Sequence, residues 1–203
     1  MLTIPQVFAL ADAIEPRYSA LVLLGTFGSL RWGELAGLRR AGIDLANGAI
    51  RIERQLSEIP GGGHSFSAPK SEAGIRTVPI PDLIIPRVHW HLATFTGAKD
   101  DALVFTSPGG SPMRHSNFSR RVWQPALTAA GLPGIHFHDL RHTGNTLAAQ
   151  DGVSLADLKA RMGHDSVRAA MIYQHAAAEA DQKIANMLDQ RMREARDDGR
   201  GQG

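Results

Sequence analysis

Six side chains of this chain, Arg31, Lys70, His138, Arg141, His164 and Tyr173, are of the types needed to break a phosphodiester without a metal. Such a bond resists attack because its anionic oxygens repel nucleophiles, so fixed donors must neutralise the charge that builds in the transition state. Arg31 and Arg141 suit that task. A guanidinium presents a planar fork that matches two phosphate oxygens and stays protonated. His138 and Arg141 stand three residues apart at a helix start and so face the same way. His164 follows Gly163 between two predicted helices, where an imidazole can point into a pocket. Lys70 lies in Ala68-Pro69-Lys70-Ser71-Glu72, at the tip of a predicted hairpin, where an ammonium could protonate a departing 5′-oxygen. Tyr173 supplies the nucleophile. Its phenol, with a pKa of about 10, needs activation, but the bond it forms conserves the energy of the broken linkage. The reaction can then run backwards with neither ATP nor metal.

Each residue has an ordinary reading when taken alone. Arg31 could pair with Glu34 across one helical turn, and Arg141 could cap its helix or bind a carboxylate. A lysine at a hairpin tip is usually a surface charge. Tyr173 could pack on a short helix beside Ile172, while Tyr18, among apolar neighbours, reads as core. His136, His138 and His142 invite a zinc reading. Asp139 follows His138 directly, however, and cysteine is absent, so the spacing disfavours zinc. His136 and His142 read instead as helix-end packing or hydrogen bonding. No metal and no cofactor are expected. The order of the six residues along the chain carries the argument.

The elements that must position these residues form an α+β, mainly helical pattern with a small antiparallel sheet in the first third. Thr3, Pro5 and the recurrence of Val7, Leu10, Ala11 and Ile14 predict a capped amphipathic helix. A second helix runs from about Pro16 through Leu24 and ends near Gly28, where a short turn presents Arg31. Asn47-Gly48 is a hairpin turn, and Ile50 and Ile52 alternate with Arg51 and Glu53 as a strand does. Residues 67–70 and 76–80 read as two short strands with Gly74 at the turn between them. Helices are predicted at about 82–95, 116–130, 139–150, 154–162, 166–175 and 179–194. Gly144 costs the 139–150 helix about 1 kcal/mol relative to alanine, which points to a close approach there.

Bulk composition sets the outer limits. The chain has 203 residues, 43% hydrophobic and 21% charged, as ordinary soluble proteins do. Its net charge of +2 is low for a nucleic-acid binder, so any basic surface must come from arrangement. The local clusters are Arg39-Arg40 and Arg114, Arg120 and Arg121, each of which alone reads as a solvated face. The absence of cysteine fits a reducing cytoplasm. The longest apolar stretch, 20–30, is too short to span a bilayer, and no signal peptide is expected.

Read together, the motifs resemble the tyrosine recombinases of the phage-integrase class. Gly28-Ser29-Leu30-Arg31-Trp32-Gly33-Glu34-Leu35 resembles the family's first-arginine motif. Lys70 with Arg76-Thr77-Val78-Pro79-Ile80 resembles its β-hairpin lysine. His138-Asp139-Leu140-Arg141-His142-Thr143 resembles its His-x-x-Arg box, Met162-Gly163-His164 its Leu-Gly-His box, and Tyr173 takes the nucleophile's place. The similarity runs from about residue 3 to 188. Ser29 stands where glycine is commoner, and Met162 where leucine is.

The resemblance implies the fold of the tyrosine-recombinase catalytic domain over residues 1–195, with a disordered tail at 196–203. The helical core-binding domain that usually precedes it is expected to be absent from this chain. It implies a partner, double-stranded DNA, and attack by Tyr173 to give a 3′-phosphotyrosine and a free 5′-hydroxyl. Arg31, Arg141 and His164 would hold the phosphate, Lys70 would be general acid to the leaving oxygen, and His138 would assist proton transfer at Tyr173. It further implies self-association, as a tetramer on recombining sites. The helix predicted at 178–193 carries Ile184, Met187, Leu188 and Met192 on one stripe, which could pack on its own domain or dock on a neighbouring protomer. Two other readings compete: a type IB topoisomerase, which shares the chemistry, and a decayed integrase that only binds DNA.

Overall fold

Thr3 and Gln6 start the first helix by capping each other. The Gln6 N–H donates to Thr3 Oγ1 at 3.3 Å and the Thr3 N–H to Gln6 Oε1 at 2.9 Å. Helix α1 (Ile4–Ala13) turns Val7, Leu10 and Ala11 inward, as their spacing requires. The computed structural model describes residues 1–59, 62–69, 74–150 and 154–163. Lys70, His164, Tyr173, the helices predicted at 166–175 and 179–194, and the tail lie outside these residues.

Helix α2 (Pro16–Phe27) is the centre of the fold. Each residue from Tyr18 to Thr26 is buried, and α1, α4 (Ile85–Phe95) and α7 (His138–Gln150) pack around it. A helix that is apolar all round needs such a coat. Each leucine it buries stabilises the fold by about 1.5–3 kcal/mol. Tyr18 is core, as its neighbours suggest: it is 2% exposed and its hydroxyl donates to the Thr106 carbonyl at 3.2 Å. Burial, with Glu15 adding to it, pushes this phenol up, so Tyr18 is a poor source of phenolate.

α2 ends at Gly28, and Ser29 adopts a left-handed φ of 53°. That conformation costs a non-glycine residue roughly 1–3 kcal/mol. It turns the chain sharply into α3 (Trp32–Ala36), with Arg31 as the N-cap.

The sheet departs from the sequence expectation. Strand β1 (Ile43–Asp44) pairs with β2 (Ala49–Ile52) across the Asn47-Gly48 turn, with Gly48 at φ 58°, as its residues predict. Among the described residues, the expected hairpin between 67–70 and 76–80 does not form. Instead, β5 (Arg76–Pro79) lies antiparallel to β2, placing Ile50 opposite Val78. β4 (His64–Ser67) pairs back on β3 (Gln55–Glu58). The reason is burial. Ile50, Ile52 and Val78 share one inward face and are at most 1% exposed, whereas β4 has no buried residue to offer β5. The ends of the 70–73 connection still meet, because a Cβ on Gly74 would fall 2.2 Å from the Pro69 Cβ.

The remaining helices are close to those the sequence predicts. Residues Asp82–Ile84 form a 3-10 turn that leads into α4. The predicted 116–130 helix is α5 (His115–Phe118), a π-helical stretch Ser119–Trp123, and α6 (Gln124–Ala129). α8 (Leu155–Met162) follows α7 and ends at Gly163 in the left-handed conformation. α7 crosses α2 so closely that a Cβ on Gly144 would sit 1.9 Å from the Thr26 carbonyl oxygen, which is the close approach this glycine foretold.

Candidate active site

Arg31 is held at both ends by one carboxylate. Glu34, three residues on and 2% exposed, accepts the Arg31 N–H at 2.8 Å and its Nη1 at 2.9 Å. The i,i+3 pairing expected of an isolated arginine is therefore present. Yet 32% of the Arg31 side chain stays exposed.

Glu34 also takes a second guanidinium. Arg76 donates Nη1 to Oε1 at 2.9 Å and Nη2 to Oε2 at 3.1 Å, the bidentate geometry in which arginine binds carboxylates best. Burial alone would push the Glu34 carboxyl up. The hydrogen bonds and charges of Arg76 and Arg31 outweigh it and hold the group below the usual carboxylate range. The Arg76 Nε donates to the Arg161 carbonyl at 2.8 Å, so β5 is tied to the last turn of α8 as well.

Arg141 is 2% exposed on the first turns of α7. Its Nη1 donates to the Ser29 carbonyl and its Nη2 to the Met162 carbonyl at 2.7 Å. It neither caps its own helix through these bonds nor spends them on a carboxylate. They join the turn before Arg31 to the residue before Gly163-His164. Arg31 and Arg141 thus belong to one locality.

His138 opens α7 with an exposed edge, and its ring meets that of His142 edge to face at 4.6 Å. Loss of water on its packed side lowers its pKa. The positive fields of His142, Arg141 and Arg31 lower it further, against an opposing pull from Asp139. The fields of both arginines reach its ring, so it lies in their neighbourhood. The His136 N–H donates to Asp139 Oδ2 at 2.7 Å, a bond that fastens the start of α7. Among the described residues, no group of three His, Cys, Asp or Glu side chains is placed to hold a metal ion.

An aromatic cluster packs behind the site. The Trp32 ring lies 5.0 Å from His115, 4.8 Å from Phe118 and 5.2 Å from Phe137. Of the basic clusters, Arg39 pairs with Glu53 at 2.6 Å and Arg40 donates to the Leu92 carbonyl at 3.1 Å, so both serve the fold. Arg114, Arg120 and Arg121 are exposed.

Three of the six expected site residues, Arg31, His138 and Arg141, are therefore brought together. Lys70, His164 and Tyr173 lie outside the described residues, although the segments that lead to two of them are in place. Pro69 and Gly74 close the base of the Lys70 connection, and Met162-Gly163 reaches Arg141. Sequence reasoning missed the part played by Glu34 and Arg76. Glu34 was legible only as a local partner of Arg31. Arg76 shares its strand face with buried Val78, which is a signal that an inward charge needs a carboxylate.

Known proteins match this arrangement along most of the chain. The sequence profile described as Phage integrase family covers residues 1–180. A prophage phiRv2 integrase of Mycobacterium tuberculosis is 38% identical over 188 residues, which are 92% of this chain and 50% of that protein. A XerC-like tyrosine recombinase of Caldanaerobacter subterraneus is 30% identical over 179 residues, covering 78% of this chain and 46% of the relative. This chain thus spans about half the length of the curated relatives it matches. The Tn1549 transposon integrase, solved in complex with circular intermediate DNA, superposes with a TM-score of 0.75 at 22% identity, over 91% of this chain and 66% of that one. That likeness establishes the fold as the one seen in recombinase catalytic domains. With the motifs in family order, the arginines gathered and the profile matched from end to end of the described core, this chain is a member of the phage integrase family.

Proposed function

We propose that residues 1–195 form the catalytic domain of a site-specific DNA recombinase, which cuts and rejoins duplex DNA through a 3′-phosphotyrosine and needs no metal. In this reading Tyr173 Oη attacks the scissile phosphorus and the bond to the 5′-oxygen breaks. The phenol proton passes towards His138, and the departing oxygen takes a proton from Lys70, leaving a 5′-hydroxyl. Arg31, Arg141 and His164 stabilise the anionic oxygens as charge accumulates. Rejoining is the reverse attack by a 5′-hydroxyl on the phosphotyrosine, which allows exchange when that hydroxyl belongs to another duplex. Such exchange requires several protomers on paired sites, so self-association on DNA is part of the proposal. Action on DNA makes the cytoplasm the compartment in this proposal. No helix among the described residues is long and apolar enough to cross a membrane.

The observation that carries this reading is the pair of bonds made by Arg141, to the Ser29 carbonyl and to the Met162 carbonyl. They tie Arg141 to the turn before Arg31 and to the Met162-Gly163 end of α8, close to His138. A nicked duplex from which the cleaved 5′ fragment diffuses away tests it. With EDTA present, the protein should form a covalent adduct with the 3′ side of the cut, and Tyr173→Phe should form none. An adduct that persists in Tyr173→Phe rejects the nucleophile. Relaxation of supercoils by a monomer without joint molecules would favour the topoisomerase reading, and binding with no adduct the decayed integrase.

A further inference from the structure

Two guanidinium groups share one buried carboxylate beside the candidate site. Glu34 Oε1 accepts Arg31 Nη1 at 2.9 Å and Arg76 Nη1 at 2.9 Å, while Oε2 accepts the Arg31 main-chain N–H at 2.8 Å and Arg76 Nη2 at 3.1 Å. The two arginines differ in what else they touch. Arg76 is 7% exposed, and its other bonds go to the Gly74 and Arg161 carbonyls. Arg31 is 32% exposed and reaches Glu34 with only one side-chain nitrogen among these bonds. A fully buried carboxylate beside a phosphate-binding arginine would, by itself, cancel the charge that the phosphate needs. Here the bidentate, desolvated partner is Arg76, and a bidentate arginine is the stronger neutraliser.

We infer that Arg76 is a positioning residue that neutralises Glu34, so that Glu34 can orient Arg31 without consuming its positive charge. One carboxylate between two guanidinium groups leaves one net positive charge, and the geometry assigns it to the more exposed Arg31. Removing the Arg76 charge would leave Glu34 with Arg31 as its remaining charged partner among these three, and Arg31 would be drawn off the phosphate. The inference rests on the reading of Arg31 as a phosphate ligand.

The experiment compares two nicked duplexes that differ only at the scissile position. One carries the ordinary phosphodiester and the other a methylphosphonate, which has one anionic oxygen replaced by methyl and demands less positive charge. Within each variant, the ratio of methylphosphonate to phosphodiester cleavage is independent of how much protein is folded. Arg76→Gln should raise this ratio roughly tenfold or more, since it weakens a donor that matters most for the charged substrate. Arg76→Lys, which keeps the charge, should stay within about threefold of the unsubstituted protein. Arg76→Gln combined with Glu34→Gln removes both charges together, which a buried site tolerates far better than losing one; its ratio should return to that of the unsubstituted protein. If Arg76→Gln alone does not fold, Glu34→Gln alone decides, because freeing Arg31 from its carboxylate should move the ratio the opposite way. A ratio unchanged in Arg76→Gln, or shifted the same way in Glu34→Gln, overturns the inference and leaves the recombinase reading standing. No Tyr173-dependent cleavage of the phosphodiester by the unsubstituted protein overturns both.

Discussion

The rings of Trp32 and Phe137 meet edge to face, with centroids 5.2 Å apart and planes at 86°. Each is the chain neighbour of a candidate site residue, Arg31 on one side and His138 on the other. This contact is a direct route by which the core sets the spacing between the first arginine and the His-x-x-Arg helix. Phe137→Ala should therefore cost about 3–5 kcal/mol in urea unfolding, as large-to-small changes of buried aromatics do. Phe137→Leu should recover most of that stability yet cleave more slowly than the unsubstituted protein. Equal cleavage rates in those two would show that the edge-to-face contact sets nothing at the site.

Gly144 offers a sharper test of packing. Alanine is the better helix former by about 1 kcal/mol, so Gly144→Ala would stabilise an open helix. Here the new methyl meets the Thr26 carbonyl oxygen at 1.9 Å, and main chain cannot swing away as a side-chain tip can. The expected outcome is destabilisation of at least about 1–3 kcal/mol, the range for overpacked cores. A melting temperature unchanged or raised would refute the close crossing of α2 and α7.

Glu34 makes stability depend on acid. Its folded pKa lies below the ordinary value of 4.5 because Arg76 and Arg31 outweigh its burial. The stabilisation it gives is complete above the unfolded value and is lost as pH falls from there through the folded one. Urea midpoints measured from pH 6 down to pH 3 should fall in that lower window. In Glu34→Gln the part of the fall due to this carboxyl should disappear, and an identical pH profile in both proteins would count against the buried ion pair.

His138 makes a prediction about rate. Its pKa is lowered by lost hydration, then by His142, Arg141 and Arg31. As a proton acceptor it works in the neutral form, which persists to lower pH than for an ordinary histidine. Single-turnover cleavage should accordingly stay level through pH 7 and decline on an acid limb whose midpoint lies below about 6.5. His138→Ala should slow cleavage by roughly 10²–10⁴-fold and remove that limb. A limb that survives the substitution would belong to another group.

Much of this was legible in residue order, because the relevant physics is local. The Thr3 cap, the all-apolar run of α2, the Asn47-Gly48 turn and the short reach from His138 to Arg141 each depend on neighbours a few residues away. So does the capping geometry that lets Glu34 hold Arg31. The motifs also named the family, since their order survives without any knowledge of contacts. The strand partner of Arg76–Pro79 was not legible. Two antiparallel pairings were open to it, and the choice fell to β2 because only there does Val78 face Ile50 in the core. The same holds for the spending of Arg141 on two carbonyls from distant segments, and for the sharing of Glu34 by Arg31 and Arg76. A buried charge must find its partner wherever the packed chain brings one, and that partner is decided by the crossing of elements far apart in sequence.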